Sequence, residues 1–357
     1  MSLSVLHVSQ PVDGGVARSV SDLASDQVGR GWRVLVGSPE GPLARRITEV
    51  GAEHLAWRAA RAPGPASMLE ARSLGRIVKR AAPDLVHLHS SKAGLAGRLA
   101  IRGRLPTLFQ PHAWSFYALD GPLGRAALAW ERLGARWATA IVCVSDGERR
   151  DGEAAGIRAS WRVVPNGVDL DAFAVEDREA ARRTLGLDSR PLAVSVGRLS
   201  RQKGIDVLLA AWPEVESRVP GAQLVVVGSG PEEDELRRRA GSARLVGASD
   251  DVGSWLGAAD VVVVPSRWEG LAYVVLEAMA AGRTVVATDV AGMREALGDT
   301  GFIVPPEDPA ALATTLALAF TQPRGTGARE RVERLYDVRR ATQAMAELYA
   351  DVLRRSQ

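Results

Sequence analysis

Short runs of β-branched apolar residues alternate with longer amphipathic segments along almost all of this 357-residue chain. No other feature restricts the fold as much. An apolar run bounded by turn signals is a strand buried on both faces, and an amphipathic segment between two such runs is a helix covering the sheet. Repeated in series, they are βα units on a parallel sheet. In the first half the predicted strands are 3–9, 33–38, 84–89, 107–112 and 140–145, with helices over 16–31, 67–82, from Ser90 onward, and over 122–138. The segment 162–170 runs from a strand into a turn. The pattern then restarts, with strands at 191–197, 222–230, 243–248, 260–266 and 284–289. The helices between them include one interrupted near Pro213 and one over Ala272–Ala281 that Gly282 ends. GFIVPPED closes the series, followed by helices at 308–321 and 327–355. The fold class is therefore α/β, as two consecutive Rossmann-like domains. The first spans 1–165 and the second 166–328, with a linker over 166–190 and a terminal helical segment at 329–357. The chain's length independently favours two domains.

Composition excludes several classes. The opening MSLSVLHVSQ has neither a basic leader nor a long apolar run, so no signal peptide is expected, and the apolar stretches are strand-sized rather than membrane-spanning. The single cysteine, Cys143, lies in the apolar run IVCVS and reads as a small buried hydrophobe. A cytoplasmic setting follows. Charge is uneven: residues 1–165 carry 22 Lys/Arg against 14 Asp/Glu, and residues 166–357 carry 23 against 28. The basic half suits an anionic acceptor or the inner face of a membrane, with Arg98, Arg102 and Arg104 close together; the alternative is an ordinary solvated basic face. Aromatic residues are not interleaved with the basic ones, so nucleic acid is not an expected partner. Lysine is rare, with Lys79, Lys92 and Lys203 against 42 arginines. A compact ammonium kept at 92 or 203 suggests a task that a planar guanidinium does less well.

Open α/β sheets bind ligands beyond the carboxyl ends of their strands. In the second half the densest polar cluster there is SRWEGLAYVVLEAMAAG (266–282). A strand ends in a loop carrying Glu269 and Gly270, and the loop enters a helix whose first amides suit an anion such as a diphosphate. Glu269 is placed to accept bonds from sugar hydroxyls, and Glu277 to take a ribose diol; the alternative is a helix-end charge and a surface salt bridge. In VGRLSRQKG (196–204), Arg198 and Lys203 flank the same crevice and can neutralise a leaving diphosphate, unless they are a pair of solvated charges. GSGPEEDEL (228–236) lacks the third glycine of a dinucleotide fingerprint, and its acidic run would repel a pyrophosphate.

In the first half the corresponding residues are Asp13-Gly14-Gly15, His87 and His89 with Ser90-Ser91-Lys92, and His112 with Ala113-Trp114. His87 and His89 are expected on opposite faces of their strand, which argues against a histidine metal site. His89, Ser90 and Lys92 are candidates for contact with an anionic acceptor. Trp114, Phe116 and Tyr117 either line an apolar acceptor face or pack in the core. His112 is either a substrate contact or a buried structural imidazole.

The ordered set GGVARSV, HLHSSKAG, PHAW, VSDGER, VPNGVD, VGRLSRQKG, VVVGSGP and SRWEG-LAYVVLEAMAAG resembles the retaining glycosyltransferases of the GT-B fold, family 4 or group 1 type, over nearly the whole length. The resemblance implies two Rossmann-like domains facing each other across a cleft, with the C-terminal helix crossing back to the first. It implies a nucleotide-sugar donor, no metal and no cofactor. Arg198 and Lys203 would bind the donor diphosphate and stabilise it as it leaves. Glu269 would contact the transferred sugar with the amides of Gly270 and Leu271, and Glu277 would hold the ribose. Gly230, Val246 and Ala272 would complete the donor pocket, with the backbone around Arg244–Gly247 facing the base. Gly14 and Gly15 would let the backbone approach the donor phosphates or the acceptor, and His112 would lie beside the reacting sugar. Ala272 departs from relatives with Gly or Pro there. The expected activity is transfer from a UDP-sugar, with a GDP-sugar next, to a hydroxyl of a glycan, lipid-linked glycan or natural product. A sugar-nucleotide epimerase and a non-catalytic nucleotide-sugar binder are the alternatives.

Overall fold

The structure is a computed structural model that describes residues 3–60, 64, 66–174 and 177–356. It divides into two compact units, Met1–Asn166 with Arg339–Gln357, and Gly167–Val338.

In the first unit the elements run β1 (Ser4–Ser9), α1 (Gly14–Gly29), β2 (Arg33–Ser38), α2 (Pro42–Glu49), β3 (Glu53–Ala56), α3 (Ser67–Ala81), β4 (Leu85–His89), α4 (Ser90–Ile101), β5 (Thr107–Gln110), α5 (Gly121–Gly134), β6 (Ala140–Cys143), α6 (Asp146–Ala154) and β7 (Trp161–Val163). The seven strands pair in parallel, in the order β3-β2-β1-β4-β5-β6-β7. In the second unit they run α7 (Arg178–Thr184), β8 (Leu192–Val196), α8 (Ile205–Arg218), β9 (Gln223–Val227), α9 (Glu233–Arg239), β10 (Arg244–Gly247), α10 (Val252–Ala258), β11 (Val261–Val264), α11 (Tyr273–Ala280), β12 (Thr284–Thr288), α12 (Met293–Leu297), β13 (Phe302–Val304), α13 (Pro309–Thr321) and α14 (Ala328–Leu335). Its six parallel strands follow β10-β9-β8-β11-β12-β13. Counted within each unit, the second sheet has the doubly wound order 3-2-1-4-5-6 and the first has the same order with a seventh strand added, so each has a switch point where the winding reverses: between β1 and β4, and between β8 and β11.

The central strands are buried on both faces, which is why β11 is an unbroken run of four valines instead of an alternating pattern. Some helices start where a side chain satisfies a first amide. Ser145 accepts the Glu148 amide at α6, Asp251 the Ser254 amide at α10, and Asp308 the Ala311 amide at α13.

Several elements differ from the sequence expectation, α6, α7 and α12 among them as helices in segments where none was expected. α8 runs unbroken through Pro213, because Trp212 and Val215 on either side are buried in the core and hold the turn in place despite the missing N–H. The terminal helix is two helices, α14 and α15 (Val338–Ser356). The chain breaks at Tyr336–Asp337, where the Val168 amide bonds the Tyr336 carbonyl. α14 stays with the second unit, its Arg329 donating to the carbonyls of Phe173 and Ala280. α15 belongs to the first unit, where Met345, Leu348, Tyr349 and Val352 join Val5, Leu85, Leu108 and Val142 in one apolar cluster. The short edge strand β3 and the eight-residue helix α2 are additions to the expected series, α2 being amphipathic with Leu43, Ala44 and Ile47 on its buried face. Cys143 is wholly buried, and burial pushes its thiol well above the ordinary range.

Candidate functional site

The second unit gathers its charged residues at its switch point. The loop after β8 carries Arg198 and Lys203, and the loop after β11 carries Ser266, Arg267 and Glu269. Lys203 Nζ meets Glu269 Oε1 at 2.5 Å, and Ser266 Oγ donates to the same oxygen at 2.8 Å. Glu269 is buried, Lys203 half-buried and Arg198 exposed. A buried carboxylate needs such partners, and the lysine supplies the compensating charge.

Arg267, which the sequence reading passed over, braces the two loops. Its guanidinium takes Asp206 at the start of α8 through two 2.8 Å bonds, and also bonds Glu307 Oε1 and the Arg201 carbonyl. Asp206 holds the guanidinium above its usual range, and Arg267 holds the Asp206 carboxyl below its own. An arginine inside SRWEG gave no sign that its fork faced back to Asp206, 61 residues earlier.

The glycines of this unit serve close backbone approach. A Cβ on Gly228 would stand 1.8 Å from the Gly197 carbonyl oxygen, and one on Gly230 2.2 Å from that of Leu199. Gly230 therefore lets the loop after β9 lie against the Arg198 loop. Val246 is the extra residue of a bulge where β10 pairs with β9, between Leu245 and Gly247. Leu271 and Ala272 are buried and lead into α11, whose N-cap is Ala272 in extended conformation. Glu277 is buried within α11, eight positions after Glu269.

The first unit places Gly14 (φ 66°) and Gly15 exposed at the first turn of α1, beyond the end of β1. After β5, His112 and Ala113 both take positive φ, 53° and 87°, a strained pair for residues with a Cβ. Buried Glu148 holds this turn. Its Oε1 accepts the Ala113 amide at 2.6 Å, its Oε2 the Val144 amide at 2.8 Å, and its backbone carbonyl the Trp114 indole N–H at 2.7 Å. Burial outweighs these bonds and pushes the carboxyl up to about 7. His112 is half-buried, and burial pushes its imidazole down to about 3, so the ring is neutral.

Several expectations for this unit need correction. His87 and His89 share one face of β4, because side chains alternate with period two and residues two apart point the same way. Their ring centroids are 4.0 Å apart. His89 is fully buried, bonded to His7 and His112, and is not a surface acceptor contact. Lys92 is buried too. Its ammonium sits 2.5 Å from Glu70 Oε2 and reaches Ser67 Oγ, tying α4 to α3. Trp114 is a core residue, stacked on Phe116 and edge-on to Trp161. Arg98 is likewise inside, paired with Glu131 at 2.7 Å and lying over the Phe109 ring, so it adds nothing to a basic surface. Ser90 remains half-buried at the first position of α4.

Among the described residues, one histidine group has the spacing to hold a metal ion: His7, His87 and His89, with donor atoms within 4.8 Å of one another. Burial keeps all three rings neutral, as ligation requires. Two features oppose a resident cation. His7 Nδ1 and His89 Nε2 already share a 3.0 Å hydrogen bond, and the group contains no carboxylate to offset a buried divalent charge.

Profiles of known families match both units. Residues 13–172 match "Glycosyltransferase Family 4", and residues 190–321 match "Glycosyl transferases group 1". The phosphatidyl-myo-inositol mannosyltransferase of Mycobacterium tuberculosis H37Rv is 33% identical over 331 residues, covering 86% of this chain and 82% of that protein. The UDP-Gal:alpha-D-GlcNAc-diphosphoundecaprenol alpha-1,3-galactosyltransferase of Escherichia coli is 30% identical over 237 residues, covering 62% and 61%. Among solved structures, Anabaena Alr3699/HepE in complex with UDP and glucose superposes with a TM-score of 0.84 at 23% identity, covering 98% of this chain and 99% of that one.

Proposed function

The chain belongs to the family 4 glycosyltransferases, enzymes of the GT-B fold that use nucleotide-sugar donors, and from that footing we propose a specific reaction for it. It transfers a sugar from a UDP-sugar, with a GDP-sugar as the next candidate, to a hydroxyl of a glycan, lipid-linked glycan or natural product. It does so with retention of configuration and without a metal. The observation that carries this reading is the Lys203–Glu269 pair at the second switch point, with Arg198 exposed on the neighbouring loop.

A leaving diphosphate develops charge on its oxygens, and fixed cations there lower the barrier. Arg198 presents a guanidinium that suits phosphate oxygens bidentately. Lys203 is held by Glu269 until a diphosphate competes for its ammonium. Glu269 then has an oxygen to accept a bond from the transferred sugar, still oriented by Ser266. The first amides of α11, after Gly270 and Leu271, face an anion, and Glu277 takes the ribose. Val246, on its bulge, offers backbone groups to the base. These cations take over the charge neutralisation that a divalent ion gives other phosphate-cleaving enzymes. UDP is favoured because it occurs in the names of two similar proteins, the E. coli enzyme and the HepE complex.

The test is nucleoside diphosphate release from UDP-, GDP- and dTDP-sugars with glycan, inositol-lipid and natural-product acceptors, with and without EDTA, and NMR of the product's anomeric centre. Release only with added metal, or an inverted product, would overturn those parts of the proposal. Epimer formed without acceptor would favour the epimerase. Tight donor binding without turnover on any acceptor would favour the binder.

The same proposal includes peripheral attachment to the inner face of the cytoplasmic membrane through the first unit. Arg98 is excluded, but α5 and the turn before it expose Leu119, Leu123 and Leu133 beside Arg125 and Arg132. Co-sedimentation with phosphatidylglycerol vesicles that is lost at high salt would support it. No binding at low salt would overturn it.

A further inference from the structure

Three hydrogen bonds join His112 to the interior of the first unit in a single file. His112 Nε2 lies 3.2 Å from His89 Nδ1, His89 Nε2 lies 3.0 Å from His7 Nδ1, and His7 Nε2 lies 2.8 Å from Gln27 Oε1. His7 and His89 are fully buried, and Gln27 is all but so. The rings of His7 and His89, and those of His89 and His112, are each tilted by only 26°, so neighbouring rings are nearly parallel.

Each neutral imidazole carries one N–H and one bare nitrogen. Every contact in the file needs one donor and one acceptor. The three rings therefore have two self-consistent settings, all N–H groups directed towards Gln27 or all directed away. Gln27 decides between them. Its carbonyl oxygen faces His7, so His7 Nε2 donates and His7 Nδ1 accepts. His89 must then donate from Nε2 and accept at Nδ1, and His112 must donate from Nε2. The atom left over at the end of the file is His112 Nδ1, with its lone pair bare.

We propose that Gln27, His7 and His89 are positioning residues that fix the tautomer of His112, so that its Nδ1 is a hydrogen-bond acceptor for a substrate hydroxyl. This rests on the reading above that His112 contacts substrate, and it sharpens it. An acceptor at Nδ1 selects a hydroxyl over a carboxylate, phosphate or ether oxygen, none of which has a proton to give. Gln27 is an amide and cannot take up a proton at neutral pH, so the file ends there and orients rather than conducts. Burial lowers the basicity of every ring in it, which keeps the one-proton-per-ring count that the argument needs.

The test is long-range ¹⁵N–¹H correlation NMR on the full chain labelled at histidine. Five histidines make a small spectrum, and His112→Gln assigns the ring in question. In the wild type, His112 Nδ1 should have the shift of a bare ring nitrogen and Nε2 that of a protonated one. In Gln27→Leu, His7 Nε2 faces an apolar side chain. A buried lone pair is tolerated better there than a buried N–H, so the file reverses and the two His112 shifts exchange. Turnover, kcat/KM, should fall by about tenfold to a hundredfold. Gln27→Glu keeps an oxygen towards His7 and should restore the wild-type shifts.

A protonated Nδ1 on His112 in the wild type overturns the proposal, even if no variant folds. So does a folded Gln27→Leu protein with unchanged His112 shifts. Stoichiometric zinc in the purified protein also overturns it, because ligation takes His7 Nδ1 and His89 Nε2 out of the file. The underlying reading fails separately: if His112→Ala leaves turnover unchanged while Gln27→Leu still reverses the shifts, the relay exists but does not serve the substrate.

Discussion

Glu148 holds the backbone amide of Ala113 at 2.6 Å, and that one bond anchors a turn in which two successive residues with side chains occupy left-handed backbone conformations. The carboxylate is used twice, since its other oxygen takes the Val144 amide. The turn that presents His112 is therefore fastened to the start of α6, 35 residues later in the chain.

Glu148→Gln should loosen that turn. The amide keeps one acceptor and turns an NH₂ towards the other backbone N–H, leaving it orphaned at a cost of about 1–3 kcal/mol. The sign of the pH effect follows from the carboxyl, pushed up to about 7 from 4.5 by burial. Between those values the unfolded chain has released its proton and the folded chain has kept it, so this group's contribution to stability falls as pH rises from about 4.5 to about 7. The Gln variant lacks that slope. Urea denaturation should therefore show a larger destabilisation at pH 5 than at pH 8. Turnover should drop by up to about 10²-fold as His112 loses its position. Equal destabilisation at both pH values would show that the carboxyl titrates normally.

Lys203→Ala should remove the compact cation from the second switch point. The expected loss is about 10²–10³ in kcat, with a smaller effect on donor affinity, because the charge is needed most as the diphosphate leaves. Lys203→Arg should not restore activity. The lysine stem lies across Gly197, within 3.6 Å of where a Cβ would stand, and its head fits against Glu269 as a point charge, not a planar fork. Stopped-time assays of nucleoside diphosphate release, with donor titration by calorimetry, separate the two effects. Wild-type kcat in either variant would remove Lys203 from the mechanism.

The parallel architecture was legible in the sequence because strands buried on both faces leave unbroken apolar runs, as Val261–Val264 does. The charged cluster at the second switch point was legible for a related reason: doubly wound sheets place their polar loops at strand ends, so Arg198, Lys203 and Glu269 could be picked from one half of the chain. Burial of charge was not legible. Arg98, Lys92 and Glu131 look like surface residues in sequence, since nothing local shows that partners 20 to 35 positions away close over them. Arg267 was overlooked for the same reason. His87 and His89 are a different case: period two puts them on one face, so β4 alone is enough to bring these two imidazoles together.

The buried Arg98–Glu131 pair makes a stability prediction. Arg98 donates to Glu131 and to the Gly94 carbonyl, and Glu131 also accepts Ser115 Oγ at 3.1 Å. Glu131→Ala leaves a guanidinium buried without its counter-charge and should cost about 3–5 kcal/mol in chemical denaturation. Replacing both partners, Arg98→Met with Glu131→Leu, should recover most of that loss, because no charge is then left to desolvate. A double variant as unstable as the single one would mean that the ring contacts of Arg98 with Phe109 and Trp130, not the ion pair, set the cost.

Two glycines at positive φ test whether the donor loops depend on backbone contact. At Gly14, φ is 66° and an added Cβ would meet nothing within 4 Å, so Gly14→Ala bears only the left-handed strain of about 1–2 kcal/mol. At Gly228, φ is 145° and the Cβ would stand 1.8 Å from the Gly197 carbonyl oxygen, a backbone atom that cannot swing aside. Gly228→Ala must push the loop after β9 away from the loop that carries Arg198. Gly14→Ala is expected to lower the thermal midpoint by a few degrees and to weaken UDP binding by less than Gly228→Ala does. Gly228→Ala should lower it further and weaken UDP binding at least about tenfold, since one ångström of displacement at a charged contact is costly. Calorimetric titration of UDP into the two folded variants decides the matter. Equal UDP affinity would mean that the β9 loop and the Arg198 loop move independently.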